Sequence, residues 1–375
     1  MRKNILLVSA LLGTIVFLSG CGDDEKKKDT IKASVLVPAR KLPAKGIIGV
    51  VPLTTGDPQV PRGLSFIDGE DALIVTAEGP VKSDRGTIYM APKRDKDFSI
   101  RTSRKTSPTL NFAKFSGHFY DTRTNALYVC GNHKNPATPP QVLVLLRQND
   151  GRFLLADAMD LDTRQAAGVR CGGVTVVGDY IFASNQTPTS PNDTAIFAAK
   201  ISNPLPDKMD SVLTYADLSV KAQEISKYSH MITDIKPKIT QSPDRFSIWI
   251  LLSKLKKIVG VDFGLYATRI VLVGTPKVLS PGNSLNFLQS MVPYTDEFFI
   301  ILDNNKLYSS RFDATGKLIK TKLLLENLMD RSVLSMYLGK DRFKATSFPV
   351  LFYLPSPPGE PVSLVTEFAF DPNET

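Results

Sequence analysis

The sequence predicts an all-β protein in which one sheet-forming unit is used about six times. Three observations carry this expectation. Short apolar runs rich in Val, Ile, Phe and Tyr begin at Ala72, Ala126, Tyr180, Phe246, Phe298 and Val350, at intervals of 54, 54, 66, 52 and 52 residues. Each run has strand-like companions, separated from it by Gly, Pro, Asn and Asp turns. Only one stretch, Tyr215 to Lys227, places apolar residues (Leu218, Ala222, Ile225) at helical spacing, and it falls inside the long interval. Three or four strands per period of about 50 residues is how a β-propeller reads. One four-stranded sheet cannot bury both faces alone, whereas a ring of sheets stacks face to face and closes. The count is six blades; seven follows if the long interval hides a degenerate one, and a β-sandwich is the competing arrangement. The chain has no WD dipeptide and no kelch Gly-Gly pattern.

In chain order, GLSFI at Gly63, ALIVTA at Ala72 and GTIYMA at Gly86 form the first set. GHFYD at Gly117, ALYVC, QVLVLL at Gln141 and RFLLA at Arg152 form the second. GVTVV at Gly173, YIFASN and TAIFAA at Thr194 form the third. FSIWILLS, KIVGV at Lys257 and YATRIVLV at Tyr266 form the fourth; FFIILD and KLYSS at Lys306 the fifth; LSMYL at Leu334, VLFYLP and SLVTEF at Ser363 the sixth. The IIGVV run at Ile47 lacks a partner set of its own. It is expected to supply the outer strand of the last blade beside SLVTEF and so close the ring.

The chain opens differently. Arg2 and Lys3 precede an apolar segment from Ile5 to Phe17 that is too short to cross a ~30 Å hydrocarbon core as a stable helix. Leu18-Ser19-Gly20-Cys21 follows. This order of parts resembles the signal and lipobox of bacterial lipoproteins. The resemblance implies cleavage before Cys21, a diacylglyceryl group on its thiol and further acylation of the new amine, which together anchor stably. In that family an Asp directly after the cysteine retains the protein at the inner membrane; Gly22 holds the place here, which favours the outer membrane. The expected division is a signal peptide (1–20), a lipidated tether (21–45) and a propeller (46–375). The tether begins GDDEKKKD, continues through Pro38 and Pro43, and has no apolar face with which to offset its ordering entropy.

A hydrophobic content of 42% and a charged content of 22% are those of a domain with a real core. The formal charge is +9, and the signal supplies two of those charges through Arg2 and Lys3. A modest basic surplus suits anionic headgroups, lipopolysaccharide or acidic glycans. It does not indicate nucleic acid, because the basic residues are scattered and no nucleic-acid motif is present. Of the three cysteines, Cys21 is taken by lipid. Cys130 and Cys171 remain, either as one disulfide or as two buried thiols. Cys130 ends the second strand of one set and Cys171 precedes the first strand of the next, at the same rim in neighbouring blades, so a disulfide is expected.

The second-to-third-strand loops emerge at one rim and are long in four sets: EGPVKSDRG, GNHKNPATPP, NQTPTSPND and PSPPGEP. Such loops on a rigid scaffold are where binding usually sits. Their rim candidates are Lys82, Arg85, Asn132, His133, Lys134 and Asn185, with Gln186 and Asn192 beside them. His118 and Asp121, in GHFYD, and His230 and Asp234, in HMITD, are channel candidates for a metal or an acid–base pair. A satisfied core or surface histidine is the plainer reading of each. Asp68 and Asp179 are looser candidates. Trp249 falls mid-strand and reads as core. No catalytic residue and no metal ligand set is named: there is no G-x-S-x-G, H-E-x-x-H, C-x-x-C or P-loop. DNNKLYSSRFDATG at Asp303 lacks the Gly and terminal Glu of a calcium loop. No cofactor is expected, with calcium or another metal in the channel left open.

Two functions fit. The first is a lipid-anchored binding or scaffold module whose partner is another envelope protein or a glycan. The second is a propeller enzyme with a channel site, such as a lactonase-like hydrolase or a quinoprotein. Fold alone does not choose between them.

Overall fold

Each predicted run is the second strand of a four-stranded sheet, and the run begins that strand in all six cases. A computed structural model describes residues 46–374 apart from the segments 53–59, 79–86, 92–98, 101–113, 136–137, 162–168, 228–229, 282–284, 327–331, 340–348 and 357–363 and a few single positions. The signal, Cys21 and the tether therefore lie outside the described residues.

Strand β1 is Gly46–Pro52. Blade one is β2 (Val60–Ile67), β3 (Ala72–Glu78), β4 (Thr87–Ala91) and β5 (Ser99–Ile100). Blade two is β6 (Lys114–Asp121), β7 (Ala126–Asn132), β8 (Gln141–Arg147) and β9 (Phe153–Leu161). Blade three is β10 (Cys171–Val177), β11 (Tyr180–Asn185), β12 (Thr194–Lys200) and β13 (Lys208–Thr214). Helix α1 (Ala222–Lys227) follows. Blade four is β14 (Ile232–Pro237), β15 (Phe246–Leu252) and β16 (Lys257–Tyr266), its outer edge shared by two short strands, β17 (Arg269–Leu272) and β18 (Lys277–Leu279). Blade five is β19 (Leu288–Thr295), β20 (Phe298–Asp303), β21 (Lys306–Phe312) and β22 (Leu318–Leu325). Blade six is β23 (Ser332–Gly339), β24 (Val350–Ser356) and β25 (Leu364–Ala369), completed by β1.

The first strands β2, β6, β10, β14, β19 and β23 touch one another in that order, and β23 returns to β2. The chain is a six-bladed β-propeller. The long interval holds the turn and helix between blades three and four rather than a seventh blade. The closing strand pairs as expected: β1 runs antiparallel to β25, with Ile47 opposite Phe368 and Val51 opposite Val365. Blades two and three are also bridged at their outer edges by a short parallel pairing, Lys208 with Asp160 and Met209 with Leu161.

The core lies between blades. Phe182 stacks on Phe263 (centroids 5.2 Å apart) across blades three and four. Trp249 meets Phe299 edge-on at 5.1 Å across blades four and five, and its indole N–H donates to Asp296 at 3.1 Å. Because both faces of a second strand meet neighbouring blades, β7, β11 and β20 are buried along their whole length. A strand covered on both faces needs no polar alternation, which is why these runs stand out in the sequence.

The expected helix from Tyr215 to Lys227 is shorter than its pattern. Residues 215–219 form turns, and the helix keeps only Ala222–Lys227. Asp217 explains this: it accepts hydrogen bonds from the Thr214 N–H (2.8 Å) and hydroxyl (2.7 Å). Ser219 has φ of +58°, in the left-handed region that stops a helix, and Tyr215 is buried with its hydroxyl donating to Asn185 O.

Cys130 and Cys171 form a disulfide, with Cα atoms 5.4 Å apart, between β7 and the start of β10. Beside it the inner strands of blades two and three are in backbone contact. A Cβ on Gly117 would lie 2.8 Å from Gly173 Cα and 3.1 Å from Gly172 O.

Two outcomes follow for stability. Replacing both Cys130 and Cys171 by Ala removes a closure across 41 residues and is expected to cost about 3–4 kcal/mol in urea unfolding. Gly117→Ala forces the two inner strands apart and is expected to cost about 1–3 kcal/mol; a stability equal to wild type would mean that this close approach does not constrain the ring.

Candidate functional site

The ring leaves a central cavity of about 550 Å3. Its walls are the opening residues of the inner strands: Arg62–Leu64 of β2, Ser116–His118 of β6, Gly172–Val174 of β10, Thr233–Lys236 of β14 and Gln289–Ser290 of β19, with Ser335 of β23. Residues before these strands and from second-to-third-strand loops complete the mouth: Arg170, Gln186, His230, Lys254 and Phe287.

Backbone hydrogen bonds lace these segments together. Gln186 N–H donates to Arg170 O (2.7 Å), Met231 N–H to Gln186 O (3.0 Å) and Ser253 N–H to Met231 O (3.1 Å). Arg170, Gln186, His230 and Lys254 therefore project from a continuous strip of fixed main chain. Lys254 is further placed by Phe287, whose ring centroid lies 3.8 Å from its Nζ.

The lining is strongly basic. Arg62, Arg170, Lys236, Lys254 and His230 share it, and among the described lining residues the one carboxylate is Asp234. That carboxylate is already engaged. Lys236 Nζ lies 3.2 Å from its Oδ1, and its Oδ2 accepts from Ser290 Oγ (2.8 Å) and Met291 N–H (3.2 Å). The exposed imidazole of His230 registers the surrounding charge: partial burial lowers its pKa, and Arg170, Arg62 and Lys254 lower it further.

His118 lies in the channel wall, 8% exposed. Its Nε2 is 2.7 Å from Ser65 Oγ and its Nδ1 2.8 Å from Thr76 Oγ1. Hydroxyls can both donate and accept, so either tautomer of the neutral ring is satisfied. Burial, and then the charge of Lys236, push its pKa down to about 3. Gly63 makes room for the ring, since a Cβ there would sit 2.4 Å from Nδ1. His118 thus ties blade one to blade two as a neutral core residue.

Its expected partner is elsewhere. Asp121 ends β6, away from the cavity lining, where it pairs with Arg123 at 3.0 Å and accepts from Thr124 Oγ1 at 3.2 Å. Residues three apart on a strand point to opposite faces, so the two cannot act as a pair. The rim candidates also sort differently from their expectation. Asn132 does line the central cavity, but its side chain is buried and engaged: its amide donates to Cys171 O and Ser116 Oγ, and its carbonyl accepts from Cys171 N–H. Asn185 is buried too and turns into its own loop, donating to Thr194 O and accepting from Thr187 N–H. Both amides are spent on architecture. His133 is half-buried outside the channel lining; burial lowers its pKa and Asp160 opposes that. Lys82, Arg85, Lys134 and Asp68 lie outside the described residues. Among those that are described, no group of three or more His, Cys, Asp or Glu side chains converges as a metal site.

No protein-family model matches the chain, and no curated protein matches it in sequence. Solved structures share its fold. A luciferin-regenerating enzyme superposes with a TM-score of 0.52 at 6% identity, over 86% of this chain and 95% of the other. A glucose dehydrogenase gives 0.48 at 13% identity over 86% and 99%. Virginiamycin B lyase from Staphylococcus aureus gives 0.48 at 9% identity over 86% and 98%. The likeness is one of architecture.

The residues that sequence reasoning missed are Arg62, Arg170, Lys236 and Lys254. A signal for some of them was present: Arg62 precedes Gly63, and Arg170 immediately precedes the strand that opens at Cys171. Both are basic residues at the entry to an inner strand.

The His118 environment has a pH consequence. An unfolded chain takes up this proton near pH 6.5, whereas the folded chain refuses it down to about 3. The stability that His118 contributes is complete above about pH 6.5 and is lost as pH falls, by up to ~1.4 kcal/mol per unit. Urea unfolding of His118→Gln should therefore show a drop between pH 7 and pH 4.5 that is about 2 kcal/mol smaller than that of wild type. Equal drops would place the acid sensitivity elsewhere.

Proposed function

We propose that the protein is a lipid-anchored β-propeller of the cell envelope that binds another envelope protein or a glycan at the mouth of its channel. The observation that carries the reading is the convergence of two arginines, two lysines and a histidine on one open cavity whose described lining has a single, already paired carboxylate. A concave site on fixed main chain, with convergent polar groups, has the form of a preformed receptor. The anchor is supported by the order of n-region, apolar segment and Leu18-Ser19-Gly20-Cys21, and Gly22 favours the outer membrane.

The enzyme reading has one observation behind it, the likeness of fold to a luciferin-regenerating enzyme. Of the two channel histidines, His118 is committed to Ser65 and Thr76, while His230 stands at the mouth.

The anchor is tested by fatty-acid labelling and density fractionation. Wild type should carry label and travel with the outer membrane, and Cys21→Ser should carry none, because the hydroxyl does not replace the thiol as acceptor. Label on Cys21→Ser refutes the anchor. The binding site is tested with a photo-cross-linking amino acid at position 186 in intact cells. A discrete envelope adduct is expected, and it should disappear when Arg62 and Arg170 are both changed to Glu.

A further inference from the structure

We propose that the channel mouth takes an acidic glycan, seating a terminal sugar that carries a carboxylate or a phosphate; this deepens the binding reading above and rests on it. Charge comes first. Arg62, Arg170, Lys254 and His230 come from four separate segments, three of them fixed by the lace through Gln186 and Met231, and the one facing carboxylate is taken by Lys236 and Ser290. His230, whose pKa burial and its basic neighbours lower, adds a polar imidazole rather than a charge. The positive field of Arg62, Arg170 and Lys254 attracts an anion, and arginine forks match the oxygens of carboxylate and phosphate.

Polarity narrows the class. Between the charges stand Gln186, Gln289, Thr233 and Ser335. Gln289 Oε1 and Thr233 Oγ1 are buried without a hydrogen-bond partner, which costs about 1–3 kcal/mol for each such group. Gln289 Oε1 accepts, and the Thr233 hydroxyl both accepts and donates. A ligand with several hydroxyls meets both kinds of need.

Shape narrows it again. Protein partners are held by clusters of Trp, Tyr and Arg in desolvated pockets, aromatic rings among them. Here the one aromatic lining residue among those described, Phe287, has its face covered by Lys254. The cavity of about 550 Å3 falls within the range of small-ligand sites. It accepts the end of a glycan chain rather than a protein surface.

The test is isothermal titration of the detergent-solubilised mature protein with trigalacturonate, glucose 6-phosphate, neutral maltotriose and inorganic phosphate. At least one of the two acidic sugars should bind, with affinity falling as salt is raised, and the better of the two identifies carboxylate or phosphate as the preferred group. Maltotriose and inorganic phosphate should bind at least about tenfold more weakly, since a hydrogen bond to a charged group is worth ~1.5–3 kcal/mol. Arg62→Gln with Arg170→Gln should weaken the acidic sugar by roughly ten- to a hundredfold. Lys208→Gln, on the outer strand of blade three, should leave it unchanged. The inference is overturned if neither acidic sugar binds, if maltotriose or inorganic phosphate binds as well, or if the double variant binds like wild type. Failure here with a discrete cross-linked protein adduct at position 186 removes the glycan and keeps the binding module. Sugar binding by a protein that carries no lipid removes the anchor and keeps the site.

Discussion

The pairing of β1 with β25 is the contact on which the rest of the ring depends. A blade is a sheet with two apolar faces, so it is stable only between neighbours. Aromatic contacts join blade three to four, Phe182 on Phe263, and blade four to five, Trp249 on Phe299. Such contacts hold a closed circle only if the first and last blades also meet. Here β2 touches β23, and the blade carrying β23 owes its fourth strand to the beginning of the domain. Pairing also covers the edge of β25 and leaves β1 as the outer strand of the last blade.

Closure explains why the basic residues meet. Each blade starts its inner strand at the same end of the channel, so a side chain at that point in any blade projects toward one mouth. Arg62, Arg170 and His230 are spread over the sequence, yet line one cavity because their blades stand around one axis. Low-dielectric walls then focus the field along the channel. The burial of Asn132 and Asn185 belongs to the same geometry. The rim must be stiff before it can present charge, and these amides stiffen it through Cys171 and Thr194.

The architecture was legible because the second strands are covered on both faces. ALYVC and FFIILD read as continuous apolar runs, and their spacing counts blades. The disulfide was legible for a related reason: the end of one blade's second strand and the start of the next blade's inner strand share a rim. Local chemistry was harder to read. The Leu218, Ala222 and Ile225 spacing is helical, but Asp217 bonding back to Thr214 and the left-handed Ser219 shorten the helix. Asp121 lies three residues from His118 in sequence, but strand alternation sends it to the opposite face. The basic mouth was invisible as a motif because its members come from different blades. A scattered charge distribution along the chain is a concentrated one around the ring.

The late position of one partner of the closing strand has a kinetic side. Gly46 pairs with Ala369, so this contact spans nearly the whole domain. Pairings of such long range form slowly, because the loop entropy must be met before the contact stabilises anything. During that interval β1 and β25 each offer an open edge, the kind of surface that draws intermediates into aggregates. Assembly of the six blades is therefore a race between the two ends of one sheet finding each other and either end finding a stranger. Anything that holds the early segment near the place where the late one will arrive shortens that race.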